Sequence, residues 1–317
     1  MSVFGTVALA AQVLLVLAGA PLLAGLMRQV RARMEGRAGA GVAQPWRDLR
    51  KLLRKEPISP DGTGPAFRAA PLALVATSLV IAALIPLAGT DTPAASHGDL
   101  VVVVATLALG TIALALAGLD TGTAFGGMGA SREMTIAALV EPTILLSVLA
   151  LSVPAGSTNL ASIVEGRIDQ PSTLTSPSGL LALVALAVVT LAEAGRLPVD
   201  NPSTHLELTM VHEAMVLEYA GPDLALVELG AQMRLALLLG LLGTLAVPWG
   251  IATTASYPAL LLALVLLAVK TAVLGGALAA AEVFWAKLRL FRVPELLAGS
   301  FLLALLAVAA SYFLSGA

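Results

Sequence analysis

The feature that most constrains this chain is a succession of apolar runs, each close to the length that a helix needs to cross a bilayer. A hydrocarbon core of about 30 Å takes about 20 apolar residues at 1.5 Å per residue. Eight runs meet or approach this length: Val3–Met27, Pro71–Gly89, Leu100–Leu119, Met134–Val153, Leu180–Ala192, Leu224–Trp249, Ala259–Ala281 and Pro294–Leu314. Backbone N–H and C=O groups in hydrocarbon must be paired within the segment, which favours helices. The sequence therefore predicts an all-α polytopic membrane protein, with residues 1–317 as a single transmembrane domain of about eight helices.

Composition supports this class and excludes several kinds of site. Hydrophobic residues make up 58% of the chain and charged residues only 12%, far from the usage of soluble domains. The chain has no cysteine, so it forms no iron–sulfur cluster, thiolate zinc site or disulfide. We expect no cofactor in this polypeptide, and any redox centre must belong to a partner. Nothing in the charge pattern indicates a nucleic-acid partner.

The distribution of Lys and Arg predicts how the chain is oriented. Ten of the eighteen basic residues lie between residues 28 and 70, and five more lie in other connections on that side. On the opposite side Arg167 stands alone. Because positive residues mark the cytoplasmic side, we predict that both termini lie outside and that residues 28–70 and 196–223 form two long cytoplasmic loops. The predicted location is the inner (plasma) membrane. The first run lacks a basic n-region and is too long for a signal peptide, so we predict a retained helix.

The first long loop contains a candidate interfacial helix, Trp46–Glu56. Trp46, Leu49 and Leu52 recur at helical spacing with basic residues between them. Such a helix binds lipid headgroups or docks a peripheral protein. For docking, the candidate contacts in this loop are Arg37, Trp46, Arg50 and Lys51.

The connection before the fourth run is short and contains four glycines. It has neither a Walker pattern nor a strand before it, so a phosphate site is only weakly supported. Tight helix packing is the favoured interpretation.

Ionisable residues near or within apolar runs are the candidate functional groups, because charge in hydrocarbon is unfavourable without a role or a partner. The candidates for a proton path are Glu141, Glu193, Glu207, Glu213, Glu218, Glu228, Lys270 and Glu282. The alternative is a set of ion pairs that fix helix register. For Glu141, the competing partners are Arg132 and Arg234.

The stretch from Glu193 to Gly221 is the most polar part of the chain between two apolar runs. Pro198 and Pro202 prevent a regular helix at its start. Thr204 and Glu207 match a capping box, which predicts a helix from Thr204 onward and gives Glu207 a structural alternative to proton transfer.

No metal site is expected in this stretch. His205 and His212 are seven residues apart, about 10 Å along a helix, which is too far for one ion. Candidate contacts with a peripheral partner here are Arg196, Asp200, His205 and His212.

These residues carry a family resemblance. The run DNPSTHLELTMVHEAMVLEYAG at 200–221, with EAGRLPVD at 193–200 and AKLRLFRVPEL at 286–296, resembles the large membrane-anchor subunit of formate hydrogenlyase and related energy-converting [NiFe] hydrogenases. That subunit is a relative of subunit 1 of respiratory complex I. The resemblance extends over essentially the whole chain. Ser203 and His205 stand where the complex I subunit has acidic residues, which favours the hydrogenase branch.

The resemblance implies a non-catalytic subunit of eight helices that anchors peripheral iron–sulfur and [NiFe]-type proteins. It also implies coupling of electron transfer to proton or cation movement through antiporter-like membrane subunits. Carried over residue by residue, an acidic funnel would comprise Glu141, Glu193, Glu207, Glu213, Glu218 and Glu228. Arg196 and Asp200 would shape the central loop beside the arm.

Two other functions remain open at this stage. One is the quinone-site subunit of an NADH:quinone oxidoreductase-type complex, with both cytoplasmic loops lining a quinone cavity. The other is a free-standing ion transporter, which predicts an inverted repeat with matching broken helices. No such repeat is visible in the sequence.

Overall fold

The structure, a computed structural model, describes residues 3–196, 199, 211–284 and 292–315. The helices in this part are α1 (Val3–Met34), α2 (Gln44–Leu52), α3 (Pro65–Leu84), α4 (Leu100–Asp120), α5 (Ala124–Ser152), α6 (Leu160–Asp169), α7 (Pro177–Glu193), α8 (His212–Val216), α9 (Gly221–Ala246), α10 (Tyr257–Phe284) and α11 (Val293–Ser315). Short 3₁₀ helices occupy Ala95–His97 and Pro171–Leu174. Over the described ranges, β structure is limited to isolated bridges.

The predicted class, an all-α multi-pass membrane protein, is confirmed. Within the described residues, seven helices are long and apolar enough to cross a membrane, and α7 is a shorter apolar helix of 17 residues. Helix α2 confirms the amphipathic helix predicted in the first loop, although it begins at Gln44 and ends at Leu52. Which side the termini face stays a prediction.

Helix α9 is the centre of the bundle. It packs against α1, α3, α7 and α10. In its most apolar stretch of 18 residues, 61% of the residues are buried, compared with 22% in α10 and 28% in α11. Side chains such as Val265, Val269 and Val273 of α10 are exposed, as lipid-facing positions are. Gln12 of α1 is buried, and its side-chain amide donates to the carbonyls of Ala82 and Ile85. These hydrogen bonds pair carbonyl groups at the C-terminal end of α3 that have no partner within the helix.

The glycine-rich connection is mostly helical rather than a loop. The predicted start of the fourth span at Met134 is wrong, because α5 begins at Ala124, where Thr123 caps it by accepting from the Gly126 N–H. The predicted tight packing is confirmed. A Cβ on Gly126 would overlap the Gly118 carbonyl of α4, and one on Gly129 would lie 2.8 Å from the Val211 carbonyl.

On the other side of the bundle, the connection between α5 and α7 contains helix α6. Asn159 caps this helix by accepting from the Ala161 N–H at 2.9 Å. Arg167 of α6 is buried, and its Nε donates to the Leu245 carbonyl at 2.9 Å. Burial lowers the pKa of Arg167 to about 10, so this cation still caps the end of α9 at neutral pH.

Candidate functional site

A cavity of about 670 Å³ lies at the end of the bundle that carries α2 and α8. Helices α1, α5, α7, α9 and α10 all contribute to its wall. Its ionisable lining residues are Arg28, Arg31, Arg37, Glu133, Glu193, Arg196, His212, Glu213, Glu228, Arg234 and Glu282. Ionisable residues of several apolar helices therefore converge on one charged chamber.

The charges in the chamber are divided between its walls. Arg28, Arg31 and Arg37 come from the end of α1 and the loop after it, whereas Glu133, Glu213 and Glu228 come from α5, α8 and α9. Basic and acidic groups from different helices therefore line the same cavity.

The deepest cation, Arg234 of α9, is held by several partners. Its Nη2 donates to Glu193, to the Leu107 carbonyl at 3.1 Å and to the Thr111 hydroxyl at 2.5 Å. Both side chains of the Arg234–Glu193 ion pair are largely buried. Glu193 is the last residue of α7, so this pair fixes the end of α7 against α9 and α4.

A second ion pair lies at the mouth of the cavity. Arg196 Nη1 lies 3.7 Å from Oε1 of the buried Glu282 in α10. Burial lowers the pKa of Arg196, Glu282 acts in the opposite direction, and neighbouring Arg28 and Arg31 lower it further. The turn after α7, in which Gly195 has a φ of +57° that favours glycine, places Arg196 at this position.

Glu228 differs from Glu193. It is half-buried on α9 and accepts a hydrogen bond from Gln232 Nε2 at 3.3 Å. Among the described residues, no cation lies within ion-pair distance of it. Its charge is therefore not fixed by a direct partner.

The loop after α1 is folded back over the helix end. Glu35 pairs with Arg31 at 3.0 Å and with Arg37, and hydrogen bonds from Arg37 and then Arg31 lower the Glu35 pKa. Gln29 donates to the Ala38 carbonyl and accepts from the Gly41 N–H, both at 2.9 Å. These contacts place Arg37 on the rim of the cavity.

The two cytoplasmic segments predicted from the sequence meet beside the cavity. Tyr219 stacks on Phe67 with ring centroids 4.1 Å apart, and its hydroxyl donates to the Phe67 carbonyl at 2.8 Å. The Phe67 N–H donates to Asp120 Oδ2 at 2.9 Å. Burial, followed by the charges of Asp223 and Asp120, raises the Tyr219 pKa. The Tyr219 phenol therefore stays neutral at physiological pH. Together, the contacts among Tyr219, Phe67 and Asp120 join α3, the α4–α5 turn and the segment before α9.

The structure brings together some of the sequence candidates and not others. Glu193, Glu213, Glu228 and Glu282 line the cavity, together with Arg37, Arg196 and His212. Glu141 is half-buried in α5, eight residues beyond Glu133, and Glu218 is half-buried after α8. Neither is among the residues that line the cavity. Trp46, Arg50 and Lys51 are exposed on α2, and Asp200, His205 and Glu207 lie outside the described residues.

Lys270 is placed elsewhere. Its Nζ donates to the carbonyls of Val247 and Trp249, both at 2.6 Å, just beyond the far end of α9. These bonds give it a capping role at the opposite end of the bundle from the cavity.

Of the helix predicted from Thr204 onward, residues 204–210 lie outside the described residues, and the remainder is interrupted. Val211 has φ −106° and ψ −86°, and the helical segment that follows, α8, has only five residues. Val211 is buried and its carbonyl lies against Gly129 of α5. Tertiary packing against this glycine therefore overrides the helical periodicity.

Four ionisable residues that line the cavity were not among the candidates from the sequence: Arg28, Arg31, Glu133 and Arg234. A signal for two of them was present, because Ala24, Met27, Arg28 and Arg31 follow the i, i+3, i+4, i+7 spacing of one helix face.

Among the residues that the structure describes, no three His, Cys, Asp or Glu side chains form a group that could hold a metal ion.

The fold and the site define a multi-pass membrane protein in which ionisable groups from several spans meet in one chamber. A family model described as NADH dehydrogenase matches residues 6–312, and the chain belongs to this family. It is 36% identical to formate hydrogenlyase subunit 4 of Escherichia coli (strain K12) over 296 residues, 93% of this chain and 95% of that protein. It is 38% identical to hydrogenase-4 component C of the same organism over 261 residues, 82% of this chain and 81% of the relative. The predicted resemblance is thereby confirmed.

More distant similarities agree with the fold. A subunit of the NADH-quinone oxidoreductase of Anaplasma phagocytophilum is 32% identical over 261 residues, 75% of this chain and 73% of that protein. A chain of the membrane-bound sulfane sulfur reductase, an archaeal respiratory membrane complex, superposes with a TM-score of 0.80 at 20% identity and covers 96% of this chain and 99% of its own. That likeness shows the shared architecture. Because these relatives are parts of larger membrane complexes, partner subunits are expected for this chain as well.

Proposed function

We propose that this chain is a non-catalytic membrane subunit of a hydrogenase-like, complex I-related oxidoreductase in the plasma membrane. It anchors a peripheral redox arm and couples electron transfer in that arm to the movement of protons or cations. The observation that carries the proposal is the 670 Å³ cavity, in which ionisable groups from six helices meet.

The hydrogenase branch is favoured by the extent of similarity. The formate hydrogenlyase and hydrogenase-4 relatives match at 36% and 38% identity over most of both chains, whereas the quinone oxidoreductase relative from Anaplasma matches at 32% over three quarters. Because this chain has no cysteine, partners would supply any iron–sulfur or thiolate-bound nickel centre. We therefore expect peripheral iron–sulfur and [NiFe]-hydrogenase-like subunits, with antiporter-like subunits beside this chain in the membrane.

For the coupling role, Glu228 is the strongest candidate. Glu193 has a direct cationic partner in Arg234, whereas Glu228 lines the cavity with only the Gln232 amide as a hydrogen-bond partner among the described residues. Glu213 is exposed on α8 and is the candidate entrance from the cytoplasmic side. Glu141, deeper in α5, is the candidate for passing protons further into the membrane.

For the anchoring role, α2 is the candidate docking surface. Its buried residues are Pro45 and Leu49, while Arg47, Arg50 and Lys51 are exposed. A basic helix fixed to the bundle by its apolar face leaves these charges free to meet an acidic partner surface.

A quinone-site subunit is the second candidate function. The cavity volume lies in the range of small-molecule pockets, about 300–1,000 Å³, and the chain belongs to the NADH dehydrogenase family. This alternative predicts a bound or exchangeable quinone and no nickel in the partners.

Co-purification from native membranes tests the proposal. The complex is isolated through a tag on this chain and assayed for nickel, acid-labile sulfide and quinone. Nickel and sulfide in stoichiometric amounts are expected, and quinone without nickel would instead support the second function. The Arg50→Glu/Lys51→Glu variant should lose the peripheral subunits while it stays in the membrane. The control is Arg68→Glu, an exposed arginine at the start of α3, and an arm retained equally by both variants would contradict docking at α2.

A further inference from the structure

A second cavity, of about 260 Å³, forms a groove between α1 and α10 away from the charged chamber. Its lining residues are Leu15, Val16, Gly19, Ala20, Leu22, Leu23, Leu26, Val42, Leu87, Ala236, Leu267, Ala268, Thr271 and Ala272. Small side chains such as Gly19, Ala20 and Ala268 leave the space open. Along α1 the groove runs from Leu15 to Leu26, about 16 Å at the rise of a helix. All of these α1 residues precede Arg28, the first charged residue of the chain, so the groove lies at the depth of the hydrocarbon.

The groove leads to a basic residue on the same helix face. Arg33 is 7, 11 and 18 residues beyond Leu26, Leu22 and Leu15, separations close to two, three and five turns. Arg33 is exposed, and within the described ranges it forms no ion pair. Its neighbour Arg31, in contrast, is paired with Glu35.

Helix α2 adds positive charge alongside the groove. Val42 lines the groove two residues before α2 begins. The Trp46 indole N–H donates to the Ala18 carbonyl of α1 at 3.1 Å, next to Gly19, and fixes α2 along α1. The exposed face of α2 then carries Arg47 and Arg50.

We propose that this groove binds an anionic phospholipid, with one acyl chain between α1 and α10 and the phosphate at Arg33. An apolar slot at hydrocarbon depth matches an acyl chain, and an unpaired arginine beyond its end matches a negatively charged headgroup. A zwitterionic phospholipid has the same acyl chain but no net charge on its headgroup. We therefore expect the groove to bind the anionic lipid more tightly.

Photo-crosslinking in vesicles tests this site. The intact complex is reconstituted in phosphatidylcholine vesicles that contain a trace of phosphatidylglycerol with a photoreactive acyl chain, and crosslinked peptides are quantified by mass spectrometry. A parallel preparation carries the same chain on phosphatidylcholine. Labelling within residues 15–26 and 267–272 should be about fivefold higher with phosphatidylglycerol, as expected for one basic contact. Arg33→Gln should bring this ratio close to one.

A matched pair of glycine variants tests the groove itself. A Cβ at Gly19 has no atom within 4 Å, so Gly19→Leu should fill the groove without disturbing the helices and reduce labelling several-fold. The control is Gly299→Leu, where a Cβ is equally open but which lies on α11, a helix that contributes no lining residue to the groove. Ala268→Leu, an exposed position in the groove wall, serves as a second filling variant should Gly19→Leu not assemble.

Several results would overturn the proposal. These are equal labelling by both lipids, a phosphatidylglycerol preference that survives Arg33→Gln, and equal labelling of the filling and control variants. Absence of labelling by either lipid would show that a partner helix covers the groove. Displacement of the probe by an isoprenoid quinone, but not by excess phosphatidylglycerol, would assign the groove to a quinone tail.

Discussion

At the scale of single residues, the cavity shows how two glutamates on neighbouring helices come to differ. Glu193 contacts Arg234 directly, and both groups are largely buried. Glu228 has only the Gln232 amide as a hydrogen-bond partner in the described part of the chain. The first arrangement is a buried ion pair, whereas the second has no direct counter-charge among the described residues. The ion-pair interpretation therefore fits Glu193, and the proposed relay role falls to Glu228.

The Glu193–Arg234 pair should be structural. Glu193→Gln would leave a largely buried guanidinium without its counter-charge, which typically costs about 3–5 kcal/mol. We expect a clear fall in the thermal unfolding midpoint of the purified complex. The double variant Glu193→Gln/Arg234→Met removes both charges and should recover much of the loss. A single variant as stable as the parent would assign the pair no structural role.

At the scale of elements, the contact between α4, α5 and α8 depends on glycines. Gly118 and Gly126 lie on facing helices, and Gly129 lies against Val211, Ala214 and Met215. These close approaches place α8, with Glu213, at the rim of the cavity. Helix α8 has only five residues, so packing rather than its own hydrogen bonds must hold it.

Replacement of Gly129 tests this packing. A Cβ there would lie 2.8 Å from the Val211 carbonyl and 2.9 Å from the Ala214 Cβ, so α8 must shift. We expect Gly129→Ala to destabilise the protein by about 1–3 kcal/mol and to increase proteolysis near His212.

Gly127 provides the matched control, because a Cβ there meets no atom within 4 Å. Gly127→Ala should be neutral or stabilising by about 0.5–1 kcal/mol, since alanine loses less entropy in a helix. Equal effects of the two substitutions would contradict the packing role of Gly129.

The elements also show what the sequence could and could not predict. Apolar length predicted the membrane helices, and the Trp46, Leu49 and Leu52 spacing predicted α2. Local pattern did not predict α6, because its Asn159 cap lies within a stretch rich in Ser, Thr and Pro. The choice of Glu193 as the partner of Arg234, rather than Glu141, depends on how α7 and α9 pack. The break at Val211 likewise depends on a glycine some eighty residues earlier in the chain.

At the scale of the whole molecule, the orientation in the membrane is the first property to test. The basic residues predict that the 28–70 loop lies in the cytoplasm and that both termini lie outside. Because the chain has no cysteine, single cysteines can be introduced at the exposed residues Ser96, Thr254 and Ser59. The first two should react with an impermeant thiol reagent on intact cells, and Ser59→Cys only after the membrane is opened. Labelling of Ser59→Cys on intact cells would invert the topology.

In the proposed function, the cavity couples electron transfer in the peripheral arm to ion movement across the membrane. Glutamine keeps the shape of glutamate and most of its hydrogen bonds but does not titrate. Glu228→Gln should therefore leave the complex assembled and its redox turnover present, while ion movement per electron falls toward zero. Glu141→Gln should behave in the same way if protons pass deeper along α5.

The most direct measurement is the ratio of ions moved to electrons transferred in vesicles that contain the purified complex. Glu165→Gln, which removes an exposed carboxylate of α6 on the opposite side, is the control and should keep the parental ratio. The account predicts a complex with Glu228→Gln that contains all its redox centres and turns over without moving ions. A Glu228→Gln complex with the parental ratio would contradict it.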